Sequence, residues 1–184
     1  KERYLEPIGP DYIYELTNVS EPSLSSDGSE VAFAISSFDR KRVKKRSVIM
    51  IMSLLNRKVV QLTHGMNDHT PRFSPDGLKV AFVRKDSKGR NQIWIKLLPN
   101  GDIQRITNLS GGVRDHTWSP DSRHLAFVSD VDVTASDSSN SDGELIGKVA
   151  RSFRYKLDNV GWRENIFSQL FVVEIDSGVT TKLT

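Results

Sequence analysis

The sequence of 184 residues contains no cysteine, which excludes disulfide bonds and thiolate metal sites within it. It also lacks any apolar run long enough to span a bilayer as a helix. The longest run, 48–55, is interrupted by Ser53 and is typical of a β-strand. Neither sign of charge dominates, because 26 Lys and Arg stand against 23 Asp and Glu, and a net charge of +3 is a weak indication of an anionic partner. This composition predicts a soluble globular protein without a membrane span.

The main feature that is present is a pattern that occurs three times. Each copy has an apolar residue, a turn of the form Ser-(Pro/Ser)-Asp-(Gly/Ser) and a strand ending in Ala-Phe, in residues 22–34, 71–83 and 116–128. Pro presets φ for the turn, Asp accepts a hydrogen bond from a backbone N–H further along, and Gly supplies positive φ. The copies recur at intervals of roughly 45 to 50 residues, a spacing that indicates a repeat architecture.

A second pair of strands is predicted after each copy. The pairs are 48–52 with 59–63, 92–97 with 103–107, and 169–175 with 180–184. Four strands in each unit of about 40 to 50 residues indicate β-propeller blades. We therefore predict an all-β fold of three four-stranded antiparallel blades in an incomplete ring, after a short helical leader. The predicted boundaries are 1–19 for the leader, 20–64 for blade one, 65–108 for blade two and 109–184 for blade three.

Blade three is predicted to carry an insertion at about 130–168. Its first part, 130–143, is rich in Ser and Asp and is typical of a mobile surface loop. Its second part, 144–165, contains apolar and aromatic residues and is expected to be ordered against a neighbouring domain. Long insertions at propeller loops are often where function is added.

The turn followed by Ala-Phe, with Gln-Leu-Thr at 61–63, resembles the propeller repeats (PD40 repeats) of TolB-like proteins and of the prolyl oligopeptidase clan of serine peptidases. The leader, 11–25, resembles the N-terminal helix and first blade of the acylaminoacyl-peptidase and dipeptidyl-peptidase-like branch. The segment 154–162 resembles the third blade of that branch. The resemblance implies an N-terminal propeller of about seven blades that caps an α/β-hydrolase domain with a catalytic Ser, Asp and His. No Gly-x-Ser-x-Gly occurs in this sequence, so the nucleophile of the family has no position here.

The resemblance thus predicts the propeller portion of a serine peptidase that gates the access of short peptides to a hydrolase domain. The expected partners are peptide substrates, that domain and the remaining blades, with no nucleic acid, no cofactor and a cytoplasmic location. Three blades leave sheet faces uncovered, so we interpret the chain as an N-terminal fragment or as a piece that other chains complete. Lys1 is not a start methionine, so the sequence leaves open whether a signal peptide precedes it. The alternative is a TolB-like propeller that acts as a non-catalytic protein-interaction module.

No catalytic or metal-binding residue is assigned from the sequence. His69 and His116 each follow an Asp and precede the first strand of a blade, so we expect them near each other on one propeller face. Such Asp-His pairs could bind a metal or orient a substrate, and they could equally satisfy backbone groups where strands begin. The other candidates for substrate gating or interdomain packing lie in the insertion and are Arg151, Arg154, Tyr155 and Trp162.

Two further stretches have simpler interpretations. The run 40–46 carries six positive charges, but it lies between two strands and lacks interleaved aromatics, which favours a solvated hairpin loop over a nucleic-acid site. The stretch 137–144 superficially resembles a calcium loop. With Gly143 at its sixth position, however, the twelfth position is Val149 where a bidentate Glu is needed, which favours a flexible linker.

Overall fold

The computed structural model describes residues 9–41, 43–132, 156–157, 161–162 and 166–184. Within these ranges the chain forms three four-stranded antiparallel sheets and one two-stranded ribbon, which confirms the predicted all-β fold of propeller blades. The first sheet has the order β1-β2-β3-β4, the second β5-β6-β7-β8, and the third β9-β10-β13-β14, with β11 and β12 forming the ribbon.

The strands of the first sheet are β1 (Thr17–Leu24), β2 (Glu30–Asp39), β3 (Lys44–Ser53) and β4 (Val59–Gln61). Those of the second sheet are β5 (His69–Phe73), β6 (Lys79–Lys85), β7 (Asn91–Leu97) and β8 (Ile103–Arg105). The third sheet contains β9 (His116–Trp118), β10 (His124–Asp132), β13 (Ile166–Glu174) and β14 (Thr180–Lys182). The ribbon is made of β11 (Lys156–Leu157) and β12 (Gly161–Trp162).

Two hairpins are longer than the sequence indicated. In the first sheet, β3 begins at Lys44 and pairs with β2 as far as Asp39, so the second half of the basic run is exposed strand and not loop. In the third sheet, β10 pairs with β13 without interruption out to Asp132 opposite Ile166. Strand pairing therefore continues into both ends of the predicted insertion, because antiparallel hydrogen bonds extend wherever both chains stay extended.

The helical part of the leader is a single 3-10 helix, Pro10–Tyr14, directly before β1. Pro at its start is favourable because the first N–H of a helix has no partner within it. The Asp11 carboxylate accepts a hydrogen bond of 2.9 Å from Arg40, whose guanidinium also lies 5.5 Å from the ring centre of Tyr14. These contacts tie the leader to the hairpin between β2 and β3. No helix within the described ranges is long and apolar enough to cross a membrane.

The core lies between the sheets, and the second sheet is buried on both faces. Along β6, residues 80–83 are all 0% exposed. One face, with Val80 and Phe82, packs against the first sheet, and the other, with Ala81, packs against the third. The strict alternation of the strand is what divides these side chains between two cores. The small face and the bulky face of the repeat strand are therefore both buried in the central sheet.

The packing of the sheets has a direction. Ala32 and Ala34 of the first sheet contact the cluster that includes Phe82, and Ala81 of the second sheet contacts the cluster that includes Phe127. The small face of one sheet thus receives the bulky face of the next, which keeps neighbouring sheets close. At the two ends one face of each kind is left half-exposed, the bulky side of β2 at Phe33 and the small side of β10. The half-exposed residues Val31, Phe33 and Ile35 of β2 are all apolar, as in an interior surface.

The three repeat turns have the same hydrogen bonds. In the second sheet, the Asp76 carboxylate accepts bonds from Ser74 Oγ at 2.5 Å and from the Leu78 N–H at 2.9 Å. The Ser74 hydroxyl also accepts a bond from the Lys79 N–H at 2.9 Å. Asp27 and Asp121 make the corresponding bonds in their own turns. The Ser and Asp of the repeat are therefore turn-building residues, as the sequence predicted.

Candidate functional site

His69 opens β5 and lies at the boundary between the first and second sheets. Its Nδ1 is 2.9 Å from the Thr70 Oγ1, and its backbone pairs with Val83 of β6. Burial lowers the pKa of His69, while the negative charges of Glu21 and Asp68 act against this shift. The ring is half-buried and faces a cleft rather than the core.

A β-bulge at Thr70 determines where His69 points. Thr70 has φ of 52°, and the pairing of β5 with β6 shifts register between His69 and Arg72. The first sheet has the same device at Glu21, with φ of 57°. The Glu21 carboxylate accepts hydrogen bonds from the Thr70 N–H at 2.6 Å and from Thr70 Oγ1 at 3.0 Å. These hydrogen bonds join the two bulges, and so they connect β1 of the first sheet to β5 of the second.

His116 has a different environment. It pairs with Phe127 in the third sheet and is 3% exposed, and within the described part of the chain neither ring nitrogen has a hydrogen-bond partner of good geometry. Burial, followed by the positive charge of Arg72, lowers the pKa of His116 to about 4. It is therefore a neutral, interior side chain at neutral pH.

The two Asp-His pairs are not equivalent, because the bulge adds one residue to β5. His69 occupies the position opposite Val83, and the corresponding position in the third sheet, opposite Val128, belongs to Asp115. The charge of His69 contributes to lowering the pKa of His116, so the rings are within electrostatic range of each other. No hydrogen bond joins them among the residues that the structure describes. Nor does any group of three metal-ligating side chains occur in those residues.

Asp68 belongs to an ion pair that sequence reasoning did not identify. Its side chain is fully buried and accepts hydrogen bonds from Arg84 Nε at 2.6 Å and from Arg84 Nη2 at 2.8 Å. The guanidinium also lies 5.1 Å from the Phe82 ring and 5.3 Å from the Trp94 ring. This arrangement fixes the segment before β5 to the end of β6. An Arg directly after the apolar run 80–83 is a signal in the sequence that could have indicated it.

The remaining candidates are in the insertion. Arg151, Arg154 and Tyr155 lie outside the described residues, and their gating or interdomain role stays a prediction. Trp162 is in β12, where its backbone pairs with Lys156. Its role as a gating or packing residue is likewise a prediction.

A cleft of about 350 Å³ lies between the first two sheets, at the end where the β2–β3 hairpin and the β6–β7 turn are found. Polar residues from both sheets line its walls, among them Glu21, Lys45, Ser47, His69, Lys85 and Asn91. No sequence motif indicated this cleft, because its residues come from separate strands that only the packing of two sheets brings together.

The repeat turns, the four-stranded sheets and their directional packing define a β-propeller protein. The family model described as "TolB beta propeller domain" (PD40) matches residues 13–136. The chain belongs to this family.

Relatives of this chain include peptidases. It is 27% identical over 181 residues to the uncharacterized peptidase YuxL of Bacillus subtilis, a match that covers 96% of this chain and 28% of that protein. It is 28% identical over 128 residues to dipeptidyl-peptidase 5 of Porphyromonas gingivalis, covering 68% of this chain and 18% of that protein. The chain therefore spans less than a third of the length of these two relatives.

A solved structure has the same fold over nearly the whole chain. The acylaminoacyl peptidase of Pyrococcus horikoshii superposes with a TM-score of 0.75 at 21% identity, covering 93% of this chain and 26% of the other. At this identity the likeness shows the fold. Together with the sequence relatives, it makes this chain homologous to the propeller part of peptidases, as the sequence predicted.

Proposed function

We propose that this chain is the propeller portion of a serine peptidase that hydrolyses short peptides, similar to acylaminoacyl or dipeptidyl peptidases. The reaction is acyl transfer through a serine of an α/β-hydrolase domain outside this sequence, and the propeller limits which substrates reach that serine. The observation that carries the proposal is the match to a peptidase over 96% of the chain, which includes the leader and the third sheet and not only the repeats. We also propose a cytoplasmic location.

The uncovered sheet faces support the proposal that further blades and another domain pack against this chain. The half-exposed face of β2 contains Val31, Phe33 and Ile35, and its counterpart in the second sheet, with Val80 and Phe82, is fully buried. Since the same repeat positions are interior wherever a neighbouring sheet is present, further blades are suited to cover both ends. The leader supports an interdomain role, because its apolar residues Tyr12 and Ile13 are 46% and 45% exposed.

Gating can be tested by the size of the substrate. The product of the complete gene is assayed with a short peptide and with a folded protein that carries the same peptide in a surface loop. We expect hydrolysis of the short peptide and at least about a hundredfold lower kcat/KM for the folded protein, a difference of about 2.7 kcal/mol. Equal hydrolysis of both substrates contradicts gating. Hydrolysis of neither, by a folded protein, contradicts the peptidase assignment.

A second candidate is a TolB-like propeller that binds other proteins and has no hydrolase domain. The family model, which describes a TolB propeller and matches two thirds of the chain, favours it. The two candidates differ in the rest of the gene. A Gly-x-Ser-x-Gly on a strand–turn–helix some hundreds of residues further on supports the peptidase, and a stop after about six blades supports the interaction module.

A further inference from the structure

The cleft between the first two sheets is half-enclosed and lined from both sides. Glu21, Lys45 and Ser47 come from the first sheet, and His69, Lys85 and Asn91 come from the second. A volume of about 350 Å³ accommodates a few residues of an extended peptide. The proposed function assigns no role to this space.

Positive charge in the cleft is not neutralised by its own acidic residue. Within the described part of the chain, neither Lys45 nor Lys85 has an ion-pair partner. Both lie close enough to His69 that their charges help to lower its pKa, after the larger effect of its burial. The Glu21 carboxylate is already occupied by the two hydrogen bonds from Thr70. Both lysines are exposed at the cleft, and together they outweigh the single negative charge of Glu21, so the cleft has a net positive charge.

The second sheet also provides a hydrogen-bond acceptor at the cleft, next to Lys85. The side-chain oxygen of Asn91 is buried and has no hydrogen-bond partner among the residues that the structure describes. Buried polar atoms in proteins are almost always satisfied, so an oxygen of this kind at the wall of a cleft indicates a water or a ligand group that donates to it. A phosphate group carries more than one negative charge at neutral pH, and the charge of Glu21 disfavours this excess over a single carboxylate. The end of a peptide provides both a single carboxylate and an N–H within a few bonds of it.

We propose that this cleft binds the C-terminal end of a peptide, with Lys45 and Lys85 holding its carboxylate and Asn91 accepting a hydrogen bond from its backbone. The proposal rests on the proposed function, since peptides are the substrates there, and it adds a preference for a free C-terminal carboxylate. The exposed basic residues Arg40, Lys41, Lys44 and Arg46 of the β2–β3 hairpin raise the local concentration of such peptides before they enter.

The test measures binding separately from hydrolysis. The product of the complete gene is treated with a serine-reactive inhibitor, and an N-terminally labelled tetrapeptide is titrated as the free acid and as the C-terminal amide, with fluorescence anisotropy as the readout. We expect the free acid to bind about tenfold more tightly than the amide, which corresponds to about 1.4 kcal/mol for one charge-assisted contact. Equal affinities overturn the proposal.

The variant is K45Q/K85Q, and the matched control is K58Q/K182Q, which removes two exposed lysines at a distance from the cleft. The preference for the free acid should fall to within about twofold in K45Q/K85Q, remain at about tenfold in the control and be retained in K85R. Thermal melting verifies that each variant is folded. An unchanged preference in folded K45Q/K85Q overturns the proposal, and so does competition by inorganic phosphate as strong as that by the free acid.

The two proposals fail in different ways. A preference for the free acid in a protein that hydrolyses no peptide supports the cleft and contradicts the peptidase. Hydrolysis of short peptides without any carboxylate preference supports the peptidase and overturns the cleft.

Discussion

The backbone N–H of Asp76 donates a hydrogen bond of 2.9 Å to the Ser122 Oγ, which joins the repeat turn of the second sheet to that of the third. On the other side, Ser26 Oγ donates to the Pro75 carbonyl at 2.7 Å. The three turns thus form a continuous chain of contacts along one end of the sheets. The serines that the repeat allows at its variable positions therefore have a second role, which is to connect neighbouring sheets.

Two substitutions of Ser122 distinguish the effect of this hydrogen bond on stability from the effect of backbone strain. Ser122 has φ of 60°, where the other two turns have glycine. Ser122→Ala keeps the strained φ and leaves the Asp76 N–H unsatisfied, so we expect a loss of about 1–2 kcal/mol in the free energy of unfolding. Ser122→Gly loses the same bond but relieves about 1 kcal/mol of strain, and should be less destabilised. Urea denaturation of the wild type and the two variants measures the free energies of unfolding and so gives their order of stability. An alanine variant as stable as the wild type contradicts the role of the contact.

The ion pair of Asp68 with Arg84 should be far more important than the surface pair of Asp11 with Arg40. Asp68 is 0% exposed at its side chain, and its removal leaves a guanidinium between two aromatic rings without a counter-charge. We expect Asp68→Ala to cost about 3 kcal/mol. Asp11→Ala, in a pair whose side chains are 68% and 67% exposed, should cost less than about 1 kcal/mol. Chemical denaturation of both variants provides the comparison. Equal losses in the free energy of unfolding would contradict the larger contribution of the buried pair.

Gly111 and Gly89 form another matched pair. A Cβ on Gly111 would overlap the backbone carbonyl of Asp130, which cannot move without disturbing β10. Gly111→Ala should therefore cost about 3 kcal/mol. Gly89 has φ of 77° in open space, so Gly89→Ala should cost only about 1 kcal/mol, from backbone strain. A smaller effect at Gly111 than at Gly89 would contradict the close approach between β10 and the segment that precedes β9.

The stability of the chain should fall between pH 6.5 and pH 4 because of His116. The unfolded side chain, with a pKa near 6.5, binds a proton in this range, whereas burial keeps the folded pKa at about 4. Since the unfolded state then binds more protons, the contribution of His116 to the free energy of unfolding is fully present above pH 6.5 and is lost as the pH falls. His69, whose pKa is also lowered, adds a decline of the same sign. Melting temperatures at pH 7 and pH 5 should differ by several degrees in the wild type and by much less in His116→Leu. An equal decline in both proteins would contradict the burial of a neutral imidazole.

A second decline should follow at lower pH. Hydrogen bonds from Ser25 and Ser29 lower the pKa of Asp27 to about 2, and bonds from Arg90 lower that of Asp86 to about 2. Carboxylates with depressed folded pKa values stabilise the protein above their unfolded pKa of 3.8, and this contribution is lost as the pH falls towards 2. Asp27→Asn keeps a hydrogen-bond acceptor for the turn. Its melting temperature should fall less than that of the wild type between pH 4 and pH 2. A profile identical to that of the wild type would show that the turn does not depend on the charge.

The strands and turns could be predicted because their causes are local. Ser-Pro-Asp-Gly encodes the turn within four residues, and alternation along β6 encodes its two buried faces. The Thr70 bulge could not be predicted, since a non-glycine residue at positive φ has no sequence signature, and this one shifts His69 out of line with His116. The same holds for the extension of β10 and β13, which depends on pairing between segments far apart in the chain.

The candidate site was predicted far less well than the fold. The histidines were identified by their neighbours in sequence, but their environments depend on burial between sheets, which one strand alone does not determine. Lys45 and Lys85 reach the same cleft from β3 and β6, and nothing near either residue in the sequence indicates the other. Contacts between sheets, rather than within a repeat, distinguish one propeller from another.

The central claim, that this chain is the propeller part of a serine peptidase, is tested most directly by the protein made from the complete gene. It is incubated with a fluorophosphonate probe and assayed in parallel with an N-acyl-aminoacyl and a dipeptidyl chromogenic substrate. We expect covalent labelling of one serine outside residues 1–184 and hydrolysis of at least one substrate that the probe abolishes. A folded gene product that is neither labelled nor active would contradict it and favour the interaction module.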